Sequence, residues 1–181
     1  PHEAGVQYAL GRGCVLIAAG GNSGHTERYY PAALTGVIAV GSVDASGRPS
    51  SFSTRGDHIT LCAPGARILS LGLDGYQENT GSSFAAPFVA GAAALLIARG
   101  RRLSVPLTPN QIRALLAQTA KPFPPGSLTL GCGAGVLDAP AALRALERAY
   151  ITQDSPPSAP RGRIQTSAST SVTACSTSLQ N

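Results

Sequence analysis

The sequence predicts an α/β fold whose sheet is covered on both faces. Two observations carry this expectation. Cys14-Val15-Leu16-Ile17-Ala18-Ala19 and Val37-Ile38-Ala39-Val40-Gly41-Ser42-Val43 are unbroken apolar runs, without the alternation of a strand that has one wet face. Between and after the strand-like runs lie segments with helical spacing. A 43% hydrophobic content against 13% charged residues, over 181 residues, supplies enough apolar surface for one packed domain.

Taken in order, Ala4 to Leu10 sets Val6, Ala9 and Leu10 at helical spacing and stops at Gly11 and Gly13, ahead of the first apolar run. After the second run, Ile59-Thr60-Leu61-Cys62 and Arg67-Ile68-Leu69-Ser70-Leu71 read as shorter strands separated by Ala63-Pro64-Gly65. Ser83 to Arg99 reads as a long helix kept slim by its alanines and Gly91, with Pro87 in the first turns, where backbone donors lack partners. Thr108-Pro109-Asn110-Gln111 supplies an N-cap, a first-position proline and a capping-box glutamine, and Ile112, Leu115 and Leu116 follow on one face before Lys121-Pro122. Asp138 is placed to cap a last helix that turns Ala142, Leu143 and Leu146 inward. Beyond Tyr150 the composition shifts to Ser, Thr, Pro and Ala, so residues 1–150 are expected to form the domain and 151–181 a disordered tail or linker.

Composition excludes several function classes. The net charge of +5 comes from scattered basic residues, and Arg99, Arg101 and Arg102 fit the C-terminal end of a helix better than a nucleic-acid patch. The longest apolar region, Ala85 to Ala98, is short for a membrane span and contains Pro87, so no span is expected. Four cysteines and three histidines lack zinc spacing. Cys14 and Cys62 fall in strand-like runs and are expected as buried thiols, whereas Cys132, between Gly131 and Gly133, could pair with an upstream cysteine in a secreted protein.

One string carries specific chemistry. Thr80-Gly81-Ser82-Ser83-Phe84-Ala85-Ala86-Pro87-Phe88-Val89-Ala90-Gly91 sets a hydroxyl at the start of a helix, where free backbone N–H groups and the positive dipole end can stabilise an oxyanion. A serine in that place is often only a cap, but capping does not account for the whole string. It resembles the nucleophile motif of the subtilisin-like serine proteases, the subtilases of peptidase family S8. Val15 to Asn22, ending Ala18-Ala19-Gly20-Gly21-Asn22, is similar to the strand and loop that bring that family's oxyanion-hole asparagine. Tyr30-Pro31-Ala32, Ser51-Phe52-Ser53, Cys62-Ala63-Pro64-Gly65 and Gly133-Ala134-Gly135-Val136-Leu137-Asp138-Ala139 follow in family order, so the resemblance covers about residues 4 to 148. Phe88 stands where familiar members have histidine, a change with packing consequences.

The resemblance implies a three-layer subtilisin-like fold, a mostly parallel sheet with helices on both faces, incomplete at its N-terminal side. It implies Ser83 as nucleophile, Asn22 as oxyanion donor, and Gly20, Gly21 and Tyr30 in the pocket for the residue before the scissile bond. Catalysis would need no cofactor, structural calcium is common in such proteins, the metal ligands here being unknown, and the partner would be a polypeptide substrate. Secretion or attachment to the cell envelope is likewise expected.

A serine nucleophile also needs a base and an orienting carboxylate. The family's Asp-Thr/Ser-Gly and His-Gly-Thr-His motifs do not occur here, and His2, His25 and His58 read as a terminal residue and two solvated loop positions. Asp44, Asp57 and Asp74 read as turn residues. The expectation is therefore that the N-terminal half of the same protease domain supplies the Asp and His, and that this piece alone is inactive and poorly soluble. Two alternatives share the same residues: a subtilase that passes its acyl group to an amine, and a non-catalytic peptide-binding module.

Overall fold

The computed structural model describes residues 2–151. Helix α1 (His2–Gly11) leads into strand β1 (Ile17–Ala19), followed by β2 (Ile38–Val43) and β3 (Ile59–Pro64). These three form a parallel sheet in the order β1-β2-β3. Next come β4 (Ile68–Gly72) and β5 (Gly75–Asn79), then helices α2 (Ser82–Arg102), α3 (Pro109–Gln118) and α4 (Ala139–Ile151).

The strand pattern explains the layering. Along β2, Ile38 and Val40 point to one face, where they meet Leu61 and Ala63 of β3, Ala85, Val89, Ala92, Ala93 and Leu96 of α2, Ile112 and Leu116 of α3, and Ala142 and Leu146 of α4. Ala39 points the other way and packs with Ala18, Ala32 and Ile59. All six residues of β2 are buried, as the unbroken apolar run predicts. By contrast β1 is shorter than its apolar run and half-buried, and it pairs with β2 alone among the described strands.

The helix ends follow their sequence signals. The Thr108 hydroxyl accepts from Gln111 N–H at 3.3 Å while Gln111 Oε1 accepts from Thr108 N–H at 2.8 Å, closing the capping box of α3. Asp138 Oδ1 accepts from Ala141 N–H at 2.8 Å and holds the start of α4. That hydrogen bond, with the nearby Lys121, keeps the Asp138 carboxyl below its usual range. In the last turn of α2, Arg99 pairs with Glu147 of α4 at 2.8 Å.

Three expectations need correction. Cys14 is exposed, since it directly follows the Arg12-Gly13 turn and β1 starts only at Ile17. His58 is not a solvated turn residue: its side chain is 4% exposed, turned inward at the start of β3. The run around Ile68 does not join the parallel sheet; it forms an antiparallel hairpin with β5, closing over Leu73 and Asp74. By length and composition, α2 is apolar enough to cross a membrane; a third of that window is buried, with Val89 and Leu96 in the core. The expected tail at 151–181 lies outside the described residues, apart from Ile151 at the end of α4.

Candidate active site

The loop after β1 and the first turn of α2 meet at the C-terminal end of the sheet. Gly20 N–H donates to Val40 O at 2.8 Å, extending the ladder past β1, and Thr54 N–H donates to Gly21 O at 3.0 Å. Ser23 then engages the Thr54 hydroxyl through both its N–H and its own hydroxyl, at 3.1 Å each. Asn22 is thus held between two pinned neighbours. On the other side, Gly81 N–H donates to Gly65 O at 2.7 Å, so the turn after β3 fixes the entry to α2.

Gly81, not a serine, is the N-cap of α2, and no side chain caps it. Ser82 is buried and directed at the Asn22 loop. Its N–H donates to Asn22 Oδ1 at 2.8 Å, and its hydroxyl lies 2.9 Å from the same oxygen and 3.2 Å from Gly21 O. With Oδ1 taken by Ser82, the Asn22 amide presents Nδ2, which donates to no described residue. Ser83, the second residue of the helix, is exposed; its hydroxyl and its N–H are likewise without a partner among the described residues.

These donors border one small space. A methyl group built on Gly81 would sit 3.3 Å from Asn22 Nδ2 and 3.8 Å from Ser83 N. Gly81 has φ +153°, a conformation that favours glycine, and the missing side chain leaves that space open. Two unpaired N–H donors at a helix N-terminus, one of them on the residue that carries the exposed hydroxyl, can host a developing oxyanion on a carbonyl under attack.

Gly20 is buried and Gly21 half-buried, whereas Tyr30 is 59% exposed. The residue set against Gly21 is Tyr29, whose ring edge occupies the space a side chain on Gly21 would need. Its hydroxyl donates to Glu27 Oε2 at 2.8 Å, which fixes the ring and raises the phenol pKa. Ser82 and Tyr29 are the residues that sequence reasoning left out of the site. The Gly81-Ser82-Ser83 string contained the first, but read alone it offered only capping; the Tyr29-Tyr30 pair gave no sign of which ring faces the glycines.

None of the three histidines hydrogen-bonds Ser83. His25 sits on the exposed loop, its N–H donating to Ser23 Oγ at 3.2 Å, and His2 is exposed on α1. The His58 ring has neither nitrogen hydrogen-bonded and lies 3.8 Å from Asp57 Oδ1, with Asp57 held by Arg28 at 2.7 Å. Asp44 is the turn residue its sequence suggests, accepting from Ser46 and Arg48. Among the described residues no three His, Cys, Asp or Glu side chains cluster.

Known proteins define the class. The subtilase family model, peptidase family S8, matches residues 2–135, and the chain belongs to this family. Among curated relatives, thermitase of Thermoactinomyces vulgaris is 42% identical over 116 residues, covering 64% of this chain and 39% of thermitase. The extracellular basic protease of Dichelobacter nodosus is 36% identical over 140 residues, covering 73% of this chain and 23% of that protein. The chain thus spans well under half the length of these relatives. Of solved structures, the patellamide maturation protease PatA superposes with a TM-score of 0.75 at 35% identity, over 81% of this chain and 56% of PatA. The prenylagaramide maturation protease PagA gives 0.74 at 33% identity, over 80% and 54%. The α/β fold with its parallel sheet is therefore the subtilisin-like one.

Proposed function

We propose that the protein containing this chain is a serine endopeptidase that cleaves polypeptides through an acyl-enzyme on Ser83. The observation that carries the reading is the shared space at Gly81, bordered by Asn22 Nδ2 and by the N–H of Ser83, the exposed serine of the first helical turn. In the proposed reaction Ser83 Oγ attacks the peptide carbonyl carbon and loses its proton to an imidazole. The carbonyl oxygen, now negative, takes hydrogen bonds from Asn22 and the Ser83 N–H. Collapse expels the amine, which receives the proton, and water then releases the acyl group by the same steps in reverse roles.

The imidazole and its orienting carboxylate are assigned to the N-terminal half of the same protease domain, since no described histidine reaches Ser83. Gly20, Gly21, Tyr29 and Tyr30 are assigned to the pocket for the residue preceding the scissile bond. No cofactor enters this chemistry. Relatives named extracellular proteases support secretion of the parent protein.

The neighbours PatA and PagA are named as maturation proteases, which supports a second reading in which the substrate is a precursor peptide. Transfer of the acyl group to an amine, in place of water, would use the same serine and the same oxyanion donors. A peptide assay of the full-length protein, with and without a labelled amine, tests these readings together. Hydrolysis that Ser83→Ala abolishes supports the endopeptidase, and amine-capped product supports transfer. A folded parent giving neither product would leave the peptide-binding module as the account.

A further inference from the structure

We propose that Cys62 and Cys132 form a disulfide that staples the Gly131–Leu137 segment to β3. The proposal does not depend on the catalytic reading. Both side chains are buried, at 1% and 2% exposure, in one apolar cluster with Val43, Phe123 and Val136. The Cys62 thiol donates to Cys132 O at 3.3 Å, and that oxygen is separated from the Cys132 Cα only by the carbonyl carbon. The stretch that follows Cys132 is bonded backbone to backbone along β3. Ala134 N–H donates to Thr60 O at 2.9 Å, Cys62 N–H to Gly135 O and Leu137 N–H to Cys62 O at 2.8 Å each. Gly131 and Gly133, with φ of +74° and +76°, let the chain curl back on both sides of Cys132.

In the structure both sulfurs are thiols, and Cys132 Sγ makes only long contacts to the Leu128 and Leu130 carbonyls, at 3.7 Å and 3.9 Å. Turning it toward Cys62 forfeits little. Cys14 is a poor competitor: it precedes β1, on the far side of β2 from β3, and two strand spacings are about 10 Å, beyond disulfide reach.

The reaction needs an oxidant, and a small disulfide such as oxidised glutathione suffices. One protein thiolate attacks it and releases a glutathione thiolate; the second protein thiolate attacks the mixed disulfide and releases another. Two electrons pass from the cysteine sulfurs to glutathione, and the two thiol protons end on the two leaving thiolates. Burial, then the neighbouring Cys132 thiol, pushes Cys62 up to about 12, so exchange in the packed state is slow. The bond therefore forms while the segment is still docking and is afterwards shielded.

The test is non-reducing peptide mapping of the full-length protein refolded in a glutathione redox buffer. The expected result is a linked pair of peptides carrying Cys62 and Cys132, lighter by two hydrogens than their sum, and a melting temperature several degrees higher than after reduction. Cys132→Ser should remove the reductant dependence, and Cys14→Ser should leave it intact. Two findings overturn the proposal: both thiols alkylated after denaturation without reductant, or either one linked to Cys14 or Cys175.

Discussion

The side-chain carbonyl of Asn22 accepts both the N–H of Ser82, at 2.8 Å, and its hydroxyl, at 2.9 Å. This clamp decides which end of the Asn22 amide faces the space beside Ser83, because an oxygen bound by two donors leaves the nitrogen to point away. On the proposed mechanism Asn22→Ala lowers kcat by about 10²–10³, the loss known for removal of one oxyanion donor from subtilisin, with little change in KM. Ser82→Ala keeps the N–H bond and loses the hydroxyl's contacts with Asn22 Oδ1 and with the Gly21 N–H and carbonyl, so kcat falls by about tenfold or more, at about 0.5–1.5 kcal/mol per hydrogen bond. Rescue by Ser82→Thr would separate clamping from simple loss of a buried polar group. Steady-state kinetics on the full-length protein measure all three.

Gly81→Ala places a methyl group between the two donors, 3.3 Å from Asn22 Nδ2. The φ of +153° also disfavours alanine. Activity should drop at least as far as in Asn22→Ala, accompanied by about 1–3 kcal/mol of lost stability from the strained backbone. Circular dichroism melts and kinetics on the same preparation distinguish the two effects.

Tyr29 lies over Gly21, with its hydroxyl tethered to Glu27. On the proposed reading the ring fills part of the pocket floor, so small side chains are favoured before the scissile bond. Tyr29→Ala should raise kcat/KM for substrates with Phe or Leu there by about tenfold or more, since one large apolar side chain gains space to bury, while substrates with Ala change little. A matched set of peptide substrates reads this directly.

Stability should depend on pH through His58. Burial is the main cause that lowers its pKa, Arg28 adds to it, and Asp57 opposes it. The unfolded state therefore binds a proton that the folded state refuses. Above the ordinary histidine pKa of about 6.5 this group costs nothing; as pH falls below that value toward the lowered folded pKa, stability is lost. His58→Leu should flatten that part of the melting temperature profile between pH 7.5 and 5. An unchanged slope would show that other groups carry it.

Much of this was legible in the sequence where local and tertiary signals agree. The unbroken apolar run of β2 is buried throughout, and Thr108-Pro109-Asn110-Gln111 forms the capping box it spells. Reading failed where tertiary placement decides. Gly75-Tyr76-Gln77-Glu78-Asn79 has no apolar alternation, so β5 is visible only through the Asp74-Gly75 turn signal and its pairing with β4. Cys14 is exposed though its run is apolar, because β1 starts only at Ile17 and leaves Cys14 ahead of it. His58 is buried by the fold around it, which no neighbouring residue announces. At the site, the order of Asn22 and Ser83 was readable, while the clamp by Ser82 required the loop and the helix to be brought together.

The most direct test of the central claim is labelling of the folded full-length protein with a fluorophosphonate, which reacts only with activated serines, followed by peptide mapping. The account predicts a single adduct on Ser83, diminished in Asn22→Ala and absent in Ser83→Ala. An adduct on another serine, or none on a protein shown to be folded, would contradict the assignment of Ser83 as nucleophile.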